Sequence, residues 1–288
     1  MEETSFVEAS ILAYRRRSFD EKKIARFQKE GRGQGRAESY KPWLTIYDVP
    51  SKGRSHRVFG YKIQRIHHLL SDIEWRLFLH LEWCDDVTDI REQFPLHRSR
   101  TCRIAKSLGL HHPTDTTSKT PLVMTTDFLV DVLRDGKLCQ EACCVKPSTE
   151  LEKKRVLEKL EIERCYWKEK GIPFFIFTEK IFFPVLTENL QWLRTLAFAH
   201  QSEPWTGFHQ EHANVVRLAI PKLGHLMLKD FCAQLDQELA LEPGSTLALV
   251  RYLLMSKAVT VDLTVPLNDR RPMTDFVLQN PIAGIEVG

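Results

Sequence analysis

The sequence lacks several features that would assign it to a large class of proteins. It has no run of about 18 consecutive apolar residues, so we predict no membrane-spanning helix. Acidic Glu2 and Glu3 come first and the basic Arg15–Arg17 follow a short apolar run, which reverses the order of a secretory signal. No glycine-rich stretch ends in Gly-Lys-Ser or Gly-Lys-Thr, so a phosphate-binding loop of that type is excluded.

Cysteine is present, but not in a pattern typical of a disulfide framework or a zinc site. The seven cysteines form an odd set without a Cys-x-x-Cys pair, and no ordered Cys/His series has zinc-ligand spacing. Adjacent Cys143 and Cys144 would point to opposite faces of a strand, which disfavours a bridge between them. We therefore expect reduced thiols in a cytosolic protein, several of them in the core.

The composition is that of a globular protein with one strongly basic segment. The 288 residues are 43% hydrophobic and 27% charged, enough for one large or two ordinary domains. Residues 14–57 contain 13 Lys/Arg against 5 Asp/Glu, a balance of +8, while the whole chain carries +3. Such a segment suits a polyphosphate partner through counterion release. A solvated or disordered arm has the same composition.

The basic segment combines its cations with glycines and aromatic residues. A helix is predicted around residues 20–29. The stretch Glu30–Arg36 interleaves three glycines with arginines, which is typical of a flexible loop whose backbone can approach a phosphate chain. The candidate DNA-binding residues of this segment are Arg32, Arg36, Lys52, Arg54, His56 and Arg57.

Periodicity predicts an α/β fold as far as residue 180 and a mainly helical part beyond it. The first part is predicted to contain helices at 71–83 and 150–170, strands at 87–94, 123–131, 139–146 and 174–177, the last of them buried, and a loop with a short helix within 97–122. The second part is predicted to contain helices at 187–198, 214–218, 223–241 and 247–255, the last capped by Ser245 or Thr246, then an alternating strand at 259–265.

The predicted arrangement is a mixed sheet flanked by helices, followed by helices and strands that resemble a winged helix-turn-helix. The domain boundaries that we predict are a basic N-terminal segment at 1–60, the sheet domain at 61–180, a winged-helix-like domain at 181–268 and a tail at 269–288.

The predicted β-hairpin at 123–146 carries candidate catalytic residues. Its alternation puts Asp127, Cys144 and Lys146 on one face. Asp131 shares that face, but four strand residues place it on the order of 13 Å from Asp127. The two aspartates cannot bind the same ion, so one of them is a bystander.

A third candidate lies on the predicted helix at 71–83. Ser71 and Glu74 have the spacing of a capping box, and Glu74 also falls on the apolar stripe of the helix. Capping needs no further partner, whereas an ionised carboxylate facing a core is costly unless it is paired or metal-bound. With Asp127 and Lys146, Glu74 supplies the two carboxylates and the amine that metal-dependent phosphodiester hydrolysis uses. A capping glutamate, a surface aspartate and a solvated lysine explain the same pattern.

Nine motifs occur in a consistent order along the chain and resemble one family. They are Gly31-Arg-Gly-Gln-Gly35, Pro42-Trp-Leu-Thr45, Gly53-Arg-Ser-His-Arg57, His67-His-Leu-Leu-Ser-Asp72, Leu81-Glu-Trp83, Asp89-Ile-Arg-Glu-Gln-Phe-Pro-Leu96, Thr126-Asp-Phe-Leu-Val-Asp131, Val145-Lys-Pro147 and Leu157-Glu-Lys-Leu160. The chain resembles TnsA, the endonuclease subunit of heteromeric transposases in Tn-seven-type transposons, over about residues 25–200 and more loosely around 246–263. The resemblance implies a restriction-endonuclease-like catalytic domain followed by a winged-helix-like domain.

The resemblance also implies roles for individual residues. The family's catalytic Glu, Asp and Lys fall on Glu74, Asp127 and Lys146, with the carboxylates holding Mg²⁺, for which Mn²⁺ substitutes, and Lys146 activating the attacking hydroxide or stabilising the phosphate. Related nucleases carry Glu or Gln two residues before the Lys, whereas this chain has Cys144, a poor ligand for Mg²⁺. The Val145 carbonyl is the expected ligand instead.

Three further residues have open interpretations. Glu163 is either a supporting carboxylate or a solvated helix charge. His67 and His68 are interpreted as structural imidazoles rather than DNA-facing groups.

At the level of function, the resemblance implies hydrolysis of the 5′ (non-transferred) strands at transposon ends. An integrase-type transposase subunit would cut and join the 3′ strands, and an ATP-dependent regulator would be contacted through the C-terminal domain. The expected location is the bacterial cytoplasm, on the nucleoid when DNA is bound, without a membrane partner. The rival hypotheses are a stand-alone nuclease of defence or repair and a DNA-binding assembly factor with a decayed site.

Overall fold

The computed structural model divides the chain into two units, one ending at Phe182 and the other beginning at Phe183. The structure describes residues 18–48, 53–197 and 207–279. Within these ranges no helix is long and apolar enough to cross a membrane. All seven cysteines are free thiols.

The described part of the first unit contains four α-helices and six strands. The helices are α1 (Glu21–Lys29), α2 (Asp72–Trp83), α3 (Arg98–Ser107) and α4 (Lys154–Glu169), and the strands are β1 (His56–Phe59), β2 (Ile66–Leu69), β3 (Val87–Pro95), β4 (Thr125–Arg134), β5 (Lys137–Val145) and β6 (Phe174–Phe177).

The central sheet has the order β3-β4-β5-β6. Its first three strands are antiparallel and β6 joins β5 in parallel, so the prediction of a mixed sheet is confirmed. The hairpin turn between β4 and β5 is formed by Asp135 and Gly136, with φ of 50° and 72°. Two positive φ angles match the right-handed twist of the strands that the turn joins.

Two details of the first unit differ from the prediction. The strand β6, at one edge of the sheet, is not buried, since Phe175 and Ile176 are each 43% exposed. The antiparallel pair β1–β2 was not predicted. Its four-residue strands are rich in histidine and arginine and lack the alternation that identified the longer strands.

Apolar clusters cover both faces of the sheet. Neighbouring Phe128 and Leu129 on β4 belong to different clusters, so the clusters lie on opposite faces. Leu77 and Phe78 of α2 pack on the side of Phe128, while Trp167 of α4 packs on the side of Leu129. Each large side chain buried in this way contributes about 1.5–3 kcal/mol of hydrophobic free energy. Helix packing therefore fixes the sheet from both sides.

The basic segment packs against β3 instead of forming a flexible loop. Gly33 has a φ of 75°, and a Cβ at this residue would lie 2.1 Å from Cγ of Pro95. The Gly33 N–H donates to the Lys41 carbonyl at 2.6 Å, and the Tyr40 hydroxyl donates to the Glu92 carbonyl at 3.0 Å. The prediction of flexibility is wrong because glycine allows the loop backbone to lie directly on the strand.

The described part of the second unit contains four helices and a short strand pair. They are α5 (Pro184–Ala197), α6 (Gly207–Ala219), α7 (Leu228–Glu238), α8 (Ser245–Met255), β7 (Val259–Thr260) and β8 (Val277–Leu278). Neither Ser245 nor Thr246 caps α8 with its side chain. The cap is the Asp236 carboxylate of α7, which accepts the N–H groups of Gly244 and Thr246 at 2.7 Å each.

The predicted strand at 259–265 and the predicted tail need correction. The strand ends at Thr260 because the Asp262 carboxylate accepts the N–H of Thr264 at 2.8 Å and its hydroxyl at 2.7 Å. This local turn replaces strand pairing. The first part of the tail is ordered, with Met273 and Phe276 buried and β8 paired to β7.

Candidate active site

The β4–β5 hairpin brings Asp127 and Lys146 into direct contact. The Val145 N–H donates to Oδ2 of Asp127 at 2.7 Å. The Lys146 Nζ donates to the same oxygen at 2.9 Å and to the Val145 carbonyl oxygen at 2.7 Å. The ammonium therefore bridges the carboxylate and the carbonyl that are the predicted metal ligands.

Lys146 keeps its charge in this position. Burial alone would lower the pKa of Lys146, but the nearby acidic groups together, with Asp127 first among them, outweigh burial and hold that pKa well above its usual value. The site therefore contains a permanent cation at neutral pH.

The structure separates the two candidate aspartates. Asp131 is 3% exposed and forms a buried ion pair with Arg91, and it also accepts the Gln140 amide at 2.8 Å. Its charge is already compensated within the fold. Of the two, Asp127 is the aspartate that meets Lys146.

Glu74 lies in the first turn of α2 and is 5% exposed. Its Oε2 accepts the Leu70 N–H at 2.9 Å and its Oε1 accepts the Ser71 hydroxyl at 3.1 Å, while its own N–H donates to Ser71 Oγ at 3.2 Å. Burial and the nearby charge of Asp127 raise the pKa of Glu74 to about 8. Glu74 thus takes part in helix capping and also lies within electrostatic reach of Asp127.

Sequence reasoning missed one residue of this site, Gln93. Its Nε2 donates to Oε2 of Glu74 at 3.3 Å, and its Oε1 accepts the Thr125 hydroxyl at 3.1 Å. Gln93 is 3% exposed and its φ is 47°. Its sequence signal was limited to its place in the Asp89–Leu96 motif.

Glu163 of α4 is buried behind the hairpin. It accepts the Thr126 hydroxyl, whose oxygen in turn accepts the Trp167 indole N–H at 3.0 Å. Burial and the charge of Asp127 raise the pKa of Glu163 to about 8. Because Glu163 is 5% exposed, its interpretation as a solvated helix charge is wrong, while a supporting role stays a prediction.

The Cys144 side chain is almost fully buried at 1% exposure. Burial, followed by the charges of Asp127 and Glu163, raises the pKa of this thiol well above its usual value. A protonated thiol is a weak ligand for any cation, and soft sulfur matches Mg²⁺ poorly.

The donor set of the site suits a hard cation. Glu74, Asp127 and the Val145 carbonyl offer oxygen atoms alone, the ligand type that Mg²⁺ prefers. Among the described residues, no group of three or more His, Cys, Asp and Glu side chains has the geometry of a metal cluster. An ion here would keep several water ligands, as Mg²⁺ usually does.

Comparison with known proteins identifies the family. The model of the TnsA-like endonuclease N terminal matches residues 84–179, and the model of the TnsA endonuclease C terminal matches residues 184–263. The Escherichia coli protein "Transposon Tn7 transposition protein TnsA" is 46% identical over 236 residues, which cover 82% of this chain and 84% of that protein. The chain belongs to the TnsA endonuclease family. Of the candidate site residues, Asp127, Lys146 and Glu163 fall within the TnsA N-terminal match, and Glu74 precedes it.

The predicted DNA-binding residues of this member of the TnsA endonuclease family differ in accessibility. Arg36 is 64% exposed along its side chain, although its guanidinium lies 3.7 Å from Oδ2 of Asp131. Arg54 and Arg57 are exposed at the β1–β2 pair. Lys52 lies outside the described residues. These placements leave Arg36, Arg54 and Arg57 accessible to a backbone phosphate.

Arg32 and His56 are engaged within the fold of this TnsA-family chain. The Arg32 guanidinium donates to Asp48 at 2.6 Å and lies over the Phe27 ring at 3.6 Å. The His56 ring stacks on Trp75 with centroids 5.4 Å apart. Both have structural partners, and their contact with DNA stays a prediction.

The two candidate structural histidines also lie in the first unit. His67 is fully buried and its Nδ1 lies 2.9 Å from Oε2 of Glu92, as expected of a structural imidazole. His68 is half-buried, with its ring against Tyr47 at 6.0 Å.

Proposed function

We propose that this TnsA endonuclease hydrolyses the 5′ (non-transferred) strands at transposon ends, as the magnesium-dependent endonuclease subunit of a cut-and-paste transposase. The observation that carries the proposal is the contact of Lys146 with Asp127 at 2.9 Å, with Glu74 near enough for the charge of Asp127 to raise its pKa. Membership of an endonuclease family supports the reaction class.

The chemistry follows from the charges of these side chains. Glu74, Asp127 and the Val145 carbonyl would hold the ion. Bound Mg²⁺ supplies Lewis acidity that favours water deprotonation and offsets charge on the phosphate. Lys146, which keeps its proton, would donate a hydrogen bond to the attacking hydroxide or to a phosphate oxygen, and its positive charge would stabilise the negative charge on that oxygen. The scaffold places this amine before any substrate arrives.

We extend the proposal to the partners. An integrase-type transposase subunit cuts and joins the 3′ strands, and an ATP-dependent regulator binds the second unit, which we propose to be a winged-helix-like domain. Four helices followed by the β7–β8 pair support that assignment of the domain. The match of residues 184–263 to the TnsA C-terminal region supports a function shared with TnsA proteins.

The rival functions gain no support from these observations. A stand-alone nuclease is disfavoured because both units match TnsA regions. A DNA-binding assembly factor with a decayed site is disfavoured because Glu74, Asp127 and Lys146 are all present, and the charge of Asp127 is close enough to raise the pKa values of both Glu74 and Lys146.

The metal site can be tested by Mn²⁺ binding to the full chain. Isothermal titration calorimetry should detect Mn²⁺ binding to the unaltered protein. Asp127→Asn should lower the Mn²⁺ affinity at least about tenfold, because even the loss of a residue that only hydrogen-bonds to a metal ligand lowers metal affinity about 10–100-fold. Asp72→Asn is the matched control because Asp72 is 55% exposed on the first turn of α2. Equal Mn²⁺ affinity in the unaltered protein and Asp127→Asn would remove Asp127 from the site.

The exposed arginines of the β1–β2 pair predict a salt-dependent effect on DNA binding. We expect the double substitution Arg54→Ala and Arg57→Ala to weaken binding equally across DNA sequences. The slope of log affinity against log salt should fall by about 2, because each lost phosphate contact contributes about 0.9. Fluorescence anisotropy at several salt concentrations measures this slope.

The control for that experiment removes two exposed cations from α4, by Arg164→Ala and Lys168→Ala. It alters net charge by the same amount and should leave the slope unchanged. Equal slopes for the β1–β2 variant and the unaltered protein would show that these arginines do not contact phosphates.

A further inference from the structure

Gln93 has an unfavourable backbone conformation at the edge of the candidate site. Its φ of 47° lies in the left-handed region, which is strained for a residue other than glycine. The β3–β4 register places it level with Asp127. The contacts of Gln93 must therefore explain why it keeps this conformation next to two carboxylates.

The contacts of Gln93 fix both its backbone and its amide. The Trp43 N–H donates to the Gln93 carbonyl at 3.2 Å, which holds the backbone from outside the sheet. The Thr125 hydroxyl donates to the side-chain Oε1 at 3.1 Å, so the amide nitrogen faces Glu74, where a carboxylate oxygen accepts it. The left-handed backbone is therefore the conformation in which the amide reaches Glu74.

The donors around Glu74 divide unequally between its two oxygens. An ionised carboxylate offers about four lone-pair positions, two on each oxygen. Oε2 accepts both the Leu70 N–H and the Gln93 amide, whereas the Ser71 hydroxyl is the one donor that the described residues offer to Oε1. Oε2 is therefore saturated, and Oε1 keeps one position for a cation.

We propose that Gln93 is a positioning residue of the metal site, which occupies Oε2 of Glu74 and directs the ion to Oε1. This inference rests on the proposed magnesium-dependent function and adds a residue to it. Without the Gln93 amide, the Glu74 carboxylate loses one of its three hydrogen-bond donors. Either carboxylate oxygen could then bind the ion, so the position of the ion would be less well defined. Metal binding then weakens even though every ligand is still present.

The test is Mn²⁺ titration of the full-length Gln93→Met variant by calorimetry. Methionine has a similar length but no donor, so we expect an affinity about 10–100-fold lower than that of the unaltered protein. The matched control is Gln140→Met, which removes another amide–carboxylate hydrogen bond in the same sheet, to Asp131 at 2.8 Å. That control should bind Mn²⁺ as the unaltered protein does.

A purely structural role for Gln93 predicts a different outcome. Gln93→Met would then lower the thermal unfolding temperature while leaving the Mn²⁺ affinity of the folded protein unchanged, and this result would overturn the inference. If the methionine variant does not fold, Gln93→Asn replaces it, because asparagine accepts a positive φ and its shorter amide falls short of Glu74. Unchanged Mn²⁺ affinity in Gln93→Asn would likewise overturn the inference.

Failure of the inference is distinguishable from failure of the proposed function. The proposed metal site is wrong if the unaltered protein does not bind Mn²⁺, or if Asp127→Asn binds it equally well. The role of Gln93 alone is wrong if Asp127→Asn loses affinity and Gln93→Met does not.

Discussion

Lys146→Met and Asp127→Asn should each lower the rate of 5′-strand cleavage about a thousandfold or more. Electrostatic stabilisation by a metal site is worth several kcal/mol in the transition state, and about 4 kcal/mol corresponds to this factor. Lys146 donates to Asp127 at 2.9 Å, so each substitution also disturbs the other group. The measurement is strand-specific cleavage of labelled transposon-end DNA by the reconstituted transposase with Mg²⁺.

The same reaction supplies internal controls. Cutting and joining of the 3′ strands by the partner subunit should continue in both variants, which shows that the complex has assembled. Lys137→Met, at the exposed start of β5, should cleave 5′ strands normally. Normal 5′-strand cleavage by Lys146→Met and Asp127→Asn would exclude this site from the reaction.

Glu92→Gln should lower the free energy of unfolding by about 3–5 kcal/mol, since breaking one partner of a buried ion pair leaves an uncompensated charge. Glu92 is fully buried, and Arg65 donates to its Oε1 at 2.9 Å while His67 contacts its Oε2 at 2.9 Å. The variant keeps the shape of the side chain but removes its charge. Urea unfolding at pH 7, followed by circular dichroism, measures the loss.

The stability difference between the unaltered protein and Glu92→Gln should depend on pH. Burial alone would raise the pKa of Glu92, but the charges and hydrogen bonds of His67 and Arg65 outweigh burial and hold the pKa well below its usual range. A depressed pKa gives stability that is complete above the unfolded pKa of about 4.3 and is lost as pH falls through the folded value. The difference should therefore shrink below about pH 4.

The control for this prediction is Glu141→Gln. Glu141 pairs with the largely exposed Arg134 at 3.2 Å, and such surface pairs contribute about 0–1 kcal/mol. A loss for Glu92→Gln as small as that for Glu141→Gln would show that the buried network contributes little to stability.

Much of the fold, and three residues of the candidate site, could be predicted from local sequence patterns. The hairpin could be predicted because an Asp-Gly turn joins two strands of suitable composition. Glu74, Asp127 and Lys146 could be identified because their chemical types fit hydrolysis and their motifs resemble one family.

The remaining features depend on partners distant in sequence. Arg32 was predicted to bind DNA, and that stays a prediction; its bond to Asp48 was not predicted, because no local signal shows which carboxylate an arginine will find. Gln93 was missed because a glutamine in a strand carries no pattern of its own. Its conformation depends on Trp43 and its chemistry on Glu74, neither of which adjoins it in the sequence.

The close approach of the glycine loop to β3 links two properties of the molecule. Gly33 lies on Pro95, and Trp43 bonds to the carbonyl of Gln93, so the most positive stretch of the chain also shapes the strand beside the two carboxylates. We therefore expect that deleting the glycine loop, in order to weaken the predicted DNA binding, would also disturb the candidate active site. We expect that substitution of exposed side chains such as Arg54 and Arg57, which leaves the backbone path intact, would change DNA affinity without changing the catalytic site.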